Sequence, residues 1–337
     1  MYVWVQCDFI LPVGFHRIFK PRTTMTKVII IGGSGHVGTY LVPRLVKAGY
    51  DVTNVSRGTA KPYIDDPAWD KVDHVKLDRK DQDAGEKIAA LKPEIIIDMM
   101  GYEPDEVERL VDAVRGKIQH YIFCSTVWVG GYATAVPTTE DQMTNPIDSY
   151  GEKKLAIERY LWDQVKTHNF PATSFRPGHI VGPWPSINPQ GNTNLDIWKI
   201  LAKGEELELP DHGLGTLHHI HADDCAGLVM AMIENRDKTI GEAFNNVSPQ
   251  AVSLRWYSEQ MFEWLGHQPN ISYKPFDQWK QGKPQSDIDA TWSHIAHSPC
   301  VSVEKAKRVL GFYPRYSSID AIKESVTALR DSGKLDI

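Results

Sequence analysis

The segment GGSGHVG at residues 32–38 constrains this chain more than any other. It follows the continuous apolar run KVIII (27–31), a pattern suited to a strand covered on both faces. It opens a stretch of helix formers from about His36 to Ala48, which ends at Gly49, a natural helix stop. Strand, glycine turn and helix in that order leave backbone N–H groups and the positive end of a helix dipole facing outward, where an anion is welcome. Gly32, Gly35 and Gly38 supply the tight turn, the close approach to a phosphate and the helix-to-sheet contact, with His36 and Val37 on the same turn. The spacing is GxxGxxG, one residue longer at its first gap than GxGxxG, so its weight comes from the flanking strand and helix.

Beyond the turn, short β-branched runs alternate with longer helical stretches. DVTNVSR (51–57), DHVKLD (73–78), EIIIDMM (94–100), HYIFCST (120–126) and ATSFRP (172–177) read as successive strands. The pattern predicts an α/β fold, a doubly wound parallel sheet of the Rossmann type with a smaller C-terminal substrate-binding region. Glycine and proline become dense at 178–191 and 204–215, which marks the loop-rich region facing a substrate. The expected division is a dinucleotide-binding domain from residues 25–178 and about 216–250, and a substrate-binding region from 179–215 and about 251–337. Residues 1–24 are aromatic and apolar, but Asp8 and Pro12 interrupt the run and no positive stretch precedes it, unlike a signal peptide. They are expected to form an N-terminal extension outside a fold that starts at Met25.

Composition narrows the partners. A formal net charge of −6 offers no basic surplus for phosphate neutralisation, so a small molecule is expected rather than nucleic acid. The four cysteines show no CxxC spacing, which fits a reducing cytoplasm and argues against a zinc ribbon or disulfide framework. No apolar run approaches the ~18 residues of a membrane-spanning helix.

At the end of the second strand, an acidic side chain would grip the ribose hydroxyls of NAD. Ser56 and Arg57 stand there instead, and a guanidinium beside a hydroxyl suits the 2′-phosphate of NADP, so NADP is expected with NAD as the alternative. Asp78 is expected either at the adenine amino group or as a helix cap. Tyr150 and Lys154 lie four apart at the start of a helix, which places them on one face. A nearby ammonium and the nicotinamide charge would lower the barrier to proton transfer from a phenol whose ordinary pKa is ~10.

Several landmarks then agree in order: the glycine loop, CST (124–126), SYGEKK (149–154), SFRPGHIVGP (174–183), HHIHADDCA (218–226) and GEAFNNVS (241–248). In these the chain resembles the extended short-chain dehydrogenase/reductase superfamily, of the NAD-dependent epimerase/dehydratase type. The resemblance implies hydride transfer between a substrate carbon and the nicotinamide. Tyr150 would be the acid/base, Thr126 would hydrogen-bond the reacting oxygen with Ser125 as its neighbouring candidate, and Lys154 would also hold the nicotinamide ribose. It places Pro177, His179 and Ile180 beside the nicotinamide, and Met99 to Tyr102, including Met100, beside the cofactor phosphates and ribose. Helices at about 103–115 and 150–168 would pair across a two-fold in a homodimer. A non-catalytic sensor of the cofactor, or a nucleic-acid-associated member, is the contrasting reading.

Two departures bear on the substrate. Ser125, Thr126 and Val127 stand where sugar 4,6-dehydratases carry Thr-Asp-Glu, which disfavours water elimination. Leu217, His218 and His219 stand where many sugar-nucleotide epimerases carry an arginine, which leaves smaller sugar-like or carbonyl substrates open. Trp128, His179, Trp184 and Trp198 are expected to line the substrate pocket. In HHIH, His219 and His221 would share a strand face without a ligand set for a metal, and Asp223 and Asp224 are expected to cap the next helix.

Overall fold

The structure is a computed structural model that describes residues 25–337. The expected N-terminal extension, 1–24, lies outside the described residues. The chain runs from β1 (Lys27–Ile31) through the glycine turn into α1 (His36–Lys47), then β2 (Asp51–Ser56) and β3 (Asp73–Lys76). It continues with α2 (Ala84–Ala90), β4 (Ile95–Asp98), α3 (Pro104–Val114), β5 (His120–Cys124), α4 (Ser149–His168) and β6 (Ala172–Pro177). The later part holds β7 (His179–Val181), α5 (Asp196–Ala202), β8 (Leu207–Pro210), β9 (Thr216–Leu217), β10 (His219–His221), α6 (Ala222–Glu234) and β11 (Ala243–Asn246). β12 (Val252–Ser253), α7 (Leu254–Trp264), β13 (Ile271–Lys274), α8 (Phe276–Trp279), α9 (Gln285–His297), α10 (Glu304–Leu310) and α11 (Ser318–Asp331) complete it.

Seven strands form one parallel sheet in the order β11-β6-β5-β4-β1-β2-β3. The expected doubly wound sheet is present, and its seventh strand, AFNN, is one that apolar periodicity does not reveal. The alternation of β1 explains the layering. Val28 and Ile30 pack on one face with α1 and α6, while Ile29 and Ile31 pack on the other with α2, α3 and α4. A separate apolar cluster joins α5, α7 and α11 around Trp198, Tyr257 and Phe262. Chain order reverses between β1 and β4, and there the crevice at the carboxyl ends of the strands opens.

Two expectations about helix starts need correction. His221, rather than Asp223 or Asp224, caps α6, its Nδ1 accepting from the Asp223 amide at 3.0 Å. The helix starts earlier than expected, so both carboxylates fall in its first turn, where they meet Arg44 and Arg315. Asp78 caps no helix, because α2 starts only after Asp83; its carboxylate instead accepts from the Lys80 amide in a turn.

The helix that carries Tyr150 and Lys154 is clipped to the sheet by a buried ion pair. Glu158 of α4 accepts from Arg176 Nε at 3.0 Å and Nη2 at 2.7 Å, and from Ser174 Oγ at 2.8 Å, both on β6. Removing one partner strands the other charge, at about 3–5 kcal/mol. Glu158→Gln is therefore expected to lower the unfolding free energy read from urea titration by a matching amount; an unchanged value would show that the pair does not anchor α4.

Candidate active site

The glycine turn is held from beneath by a residue that the sequence reading did not single out. Asn54, fully buried on β2, accepts from the Gly33 amide at 3.0 Å and donates to Ser34 Oγ at 2.8 Å. Gly32 adopts φ +86°, a left-handed conformation that favours glycine, and a Cβ there would lie 2.4 Å from Met100 Cγ. At Gly38 a Cβ would lie 1.8 Å from the Gly33 carbonyl oxygen, so only glycine lets α1 seat against the turn. A Cβ at Gly35 would meet nothing closer than 3.5 Å. Gly35 is also the cap residue of α1, supplies no side-chain cap, and is followed by a first turn without carboxylates. The helix N-terminus thus faces the crevice with amides to offer an anion.

In front of it lies a cleft of about 430 Å³. Gly32, Gly35, His36, Val37 and Gly38 form one wall, Met99, Met100 and Tyr102 a second, and Cys124, Ser125, Thr126 and Trp128 a third. Tyr150, Lys154, Pro177, Gly178, His179 and Ile180 close it. The sequence expectations for these positions converge on one place.

Other expected residues lie elsewhere. Ser56, Arg57 and Asp78 sit outside the cleft; Arg57 and Asp78 border a shallow surface hollow with Lys76 and Lys87, while Ser56 Oγ accepts from the Gly58 amide at 3.2 Å. Trp198 is corrected outright, since α5 turns it inward and it is fully buried against Tyr257 in the second core. Trp184 also does not line the cleft. It packs edge-on against His36, ring centroids 5.0 Å apart, beside Tyr63.

Tyr150 and Lys154 share one face of α4, but burial rather than mutual attraction sets their acidity. Lys154 is 1% exposed, donates to the Cys124 carbonyl at 2.7 Å, and lies over the Tyr102 ring at 4.6 Å. Burial lowers its pKa below the ordinary lysine value. Tyr150 keeps 39% of its surface open toward the cleft, yet the dense protein around its ring pushes the phenol up from its ordinary value. A hydrogen bond from the Thr126 hydroxyl acts the other way and is outweighed. Lys154 Nζ lies 5.8 Å from the centre of the Tyr150 ring and is turned to the Cys124 carbonyl. Tyr150 is therefore a protonated donor at neutrality. Thr126 Oγ1 accepts from the Trp128 amide at 3.2 Å.

Asp98 supports the second wall from below and was also missed. It is fully buried at the end of β4 and accepts from Arg79 at 2.6 Å, Tyr121 at 2.7 Å and the Met100 amide at 3.0 Å. Burial works to raise its pKa, but Arg79 and these donors hold it below the usual carboxylate value.

His179 lines the remaining wall, and further histidines pack behind it. A Cβ at Gly178 would lie 2.2 Å from the His218 carbonyl, and this close approach lets β7 pair with β10 in parallel, His179 opposite His219. His218 points away, one ring nitrogen on the Ser248 carbonyl and the other accepting from the Val301 amide. His221 is engaged by Glu324 and Tyr316. Among the described residues no group of three or more His, Cys, Asp or Glu is arranged to hold a metal ion.

Burial keeps many of these rings neutral, and that has a consequence for stability. It lowers His36, His218 and His294 to about 4, and His120 and His219 to about 3. In the unfolded chain each returns to its ordinary value near ~6.5 and takes up a proton as pH falls below it. Stability is thus fully present above that value and drains away toward pH 4, by at most ~1.4 kcal/mol per pH unit for each ring. Urea midpoints are expected to fall between pH 7 and pH 5, more steeply at the acid end; a flat profile over that window would contradict the burial of these rings as neutral species.

Comparison with known proteins agrees with this layout. The chain is 29% identical over 321 residues to the chloroplast stem-loop binding protein of 41 kDa b of Arabidopsis thaliana, covering 91% of this chain and 80% of that protein. It is 27% identical over 251 residues to the 2′-dehydrokanamycin reductase of Streptomyces kanamyceticus, covering 74% of this chain and 70% of that one. Its fold matches a UDP-glucose 4-epimerase of Thermotoga maritima, crystallised with UDP-glucose, with a TM-score of 0.70 and 20% identity over 91% of this chain and 99% of the other. Among the described residues no helix is long and apolar enough to cross a membrane. The model of the NAD dependent epimerase/dehydratase family matches residues 28–246, well over half of the chain, and the protein belongs to that family.

Proposed function

We propose that the protein is an NAD(P)-dependent oxidoreductase or epimerase that acts by hydride transfer on a sugar-like or small carbonyl/hydroxyl substrate. The observation that carries this reading is the convergence, in one cleft, of an uncapped glycine-turn helix with the hydroxyls of Thr126 and Tyr150 and the ammonium of Lys154. The fit for a dinucleotide rests on the open face of Gly35 and the free amides of the first turn of α1. When bound, the nicotinamide supplies the hydride or accepts it.

The chain's own groups supply the proton and the orientation. Tyr150, held protonated, donates to the oxygen of a bound carbonyl as negative charge develops there; in the reverse direction it takes the proton back. Thr126 fixes the phenol and that oxygen in one geometry, and Lys154, tethered to the Cys124 carbonyl, places a positive charge beneath the site. Among the described residues no carboxylate lines the cleft, so water elimination of the dehydratase kind lacks its acid and base.

Arg57, exposed at the end of β2 where no acid stands, supports NADP as the preferred form, with NAD the cofactor class of the family. Residues 179–215 and about 251–337 form the substrate-binding region in this reading, in a cytoplasmic homodimer joined through α3 and α4. A second reading, nucleic-acid binding, is favoured by the name of the Arabidopsis relative. The net charge of −6 and an intact hydroxyl–lysine set weigh against it.

Tyr150→Phe is expected to lower kcat about 10²–10⁴-fold, the usual worth of a positioned acid, while dinucleotide affinity stays within about twofold. Turnover unchanged in that variant would remove Tyr150 from the chemistry.

A further inference from the structure

Beside the phenol of Tyr150 the cleft is lined by His179, and imidazoles from two further elements are packed behind it. Trp128 stands edge-on to Tyr150, ring centroids 6.1 Å apart, and edge-on to His179 at 6.0 Å. His297 of α9 stacks flat on Trp128 at 4.1 Å, and His294 of the same helix lies 4.5 Å from His179. His219 of β10 backs His179 at 5.9 Å.

Their ring nitrogens are not equally used. His294 Nδ1 and His297 Nδ1 reach the carbonyls of Ala290 and Ser293 within their own helix. His179 Nε2, both ring nitrogens of His219 and His297 Nε2 are buried without a hydrogen-bond partner among the described residues, His297 Nε2 lying 3.8 Å from an Asp148 carboxylate oxygen. Ser125 Oγ, which lines the same cleft as His179, is likewise buried and unpartnered. A neutral imidazole carries one donor and one acceptor, and each buried polar group left unmatched costs about 1–3 kcal/mol. These atoms are therefore matched to a ligand that brings donors and acceptors together without charge, which is the chemistry of hydroxyl groups.

Charge points the same way. Burial and mutual repulsion hold His179 well below its ordinary pKa, and His219 and His294 are neutral as well. Among the described residues Lys154 is the single Lys or Arg lining the cleft, and its ammonium is already bonded to Cys124. Nothing on this wall would neutralise a phosphate or carboxylate brought in beside the reacting carbon, and burying such an anion unpaired is costly.

Resting on the hydride-transfer reading above, we propose that His179, backed by His219, and Ser125 form the substrate-recognition wall of the cleft. The substrate is a neutral polyhydroxylated carbonyl compound or its alcohol, with no phosphate or nucleotide near the reacting carbon. His179 makes the contact from the cleft surface, and His219 stands behind it as a second polar partner.

The test uses the full-length protein loaded with NADP. Glucose, myo-inositol, glucose 6-phosphate and UDP-glucose are titrated while the histidine ring nitrogens are followed by NMR. The expected result is that glucose or myo-inositol moves the His179 and His219 resonances and binds at least about tenfold more tightly than the phosphate or the UDP-sugar. His219→Phe, which keeps the ring volume but loses both nitrogens, is expected to weaken the neutral ligands about tenfold and leave NADP binding unchanged, and His219→Gln to restore part of the loss. Binding of glucose 6-phosphate or UDP-glucose as tight as that of the neutral compounds would overturn the proposal. So would neutral ligands that fail to bind at millimolar concentration, or that bind without moving either ring. Failure of the underlying reading shows separately, as a protein that does not take up NADP or NAD at all.

Discussion

The seat of α1 against the glycine turn is the contact on which the rest of the site depends. Only a residue without a side chain at Gly38 permits it, since a Cβ would stand 1.8 Å from the Gly33 carbonyl oxygen. The two hydrogen bonds of Asn54 then fix the turn from below. Together they hold the helix N-terminus at the crevice between β1 and β4, opposite the ends of β5 and α4. Every reactive group is placed relative to that point. Asp98 fixes the Met99–Met100 wall through the Met100 amide, and the Glu158–Arg176 pair holds α4, and with it Tyr150 and Lys154, on the sheet.

Burial decides the protonation of the cleft. It raises Tyr150, lowers Lys154 and keeps the surrounding imidazoles neutral. The resulting cleft holds a protonated phenol and one tethered ammonium, and no other Lys, Arg, Asp or Glu among the described residues lines it. Such a site stabilises charge that develops on a substrate oxygen during reaction more than charge brought in with the substrate.

Much of this was legible in the sequence because it is written locally. The apolar run of β1, the glycine spacing and the four-residue step from Tyr150 to Lys154 each need only neighbouring residues to be read, and the landmarks that follow them in order identified the cleft positions. What escaped depends on contacts between distant segments. Asn54 looks like any polar residue in a strand, and its role exists only because β2 lies beside β1. Asp98 closes the apolar run of β4, and only Arg79 and Tyr121 reveal why it is charged. His294 and His297 lie more than 100 residues from His179 and Trp128 in sequence, on a helix with no motif of its own. The tryptophans were read by proximity to loops; Trp128 does line the cleft, whereas for Trp198 the phase of α5 turned the ring inward, and a seven-residue helix is too short for its buried face to be read from periodicity.

The central claim is that the turn, the cleft and the hydroxyl–lysine set form a dinucleotide site. Calorimetric titration of the purified chain with NADP and with NAD tests it most directly. The account predicts saturable binding of one dinucleotide per chain, tighter for NADP. Heats indistinguishable from dilution for both dinucleotides at millimolar concentration would contradict it.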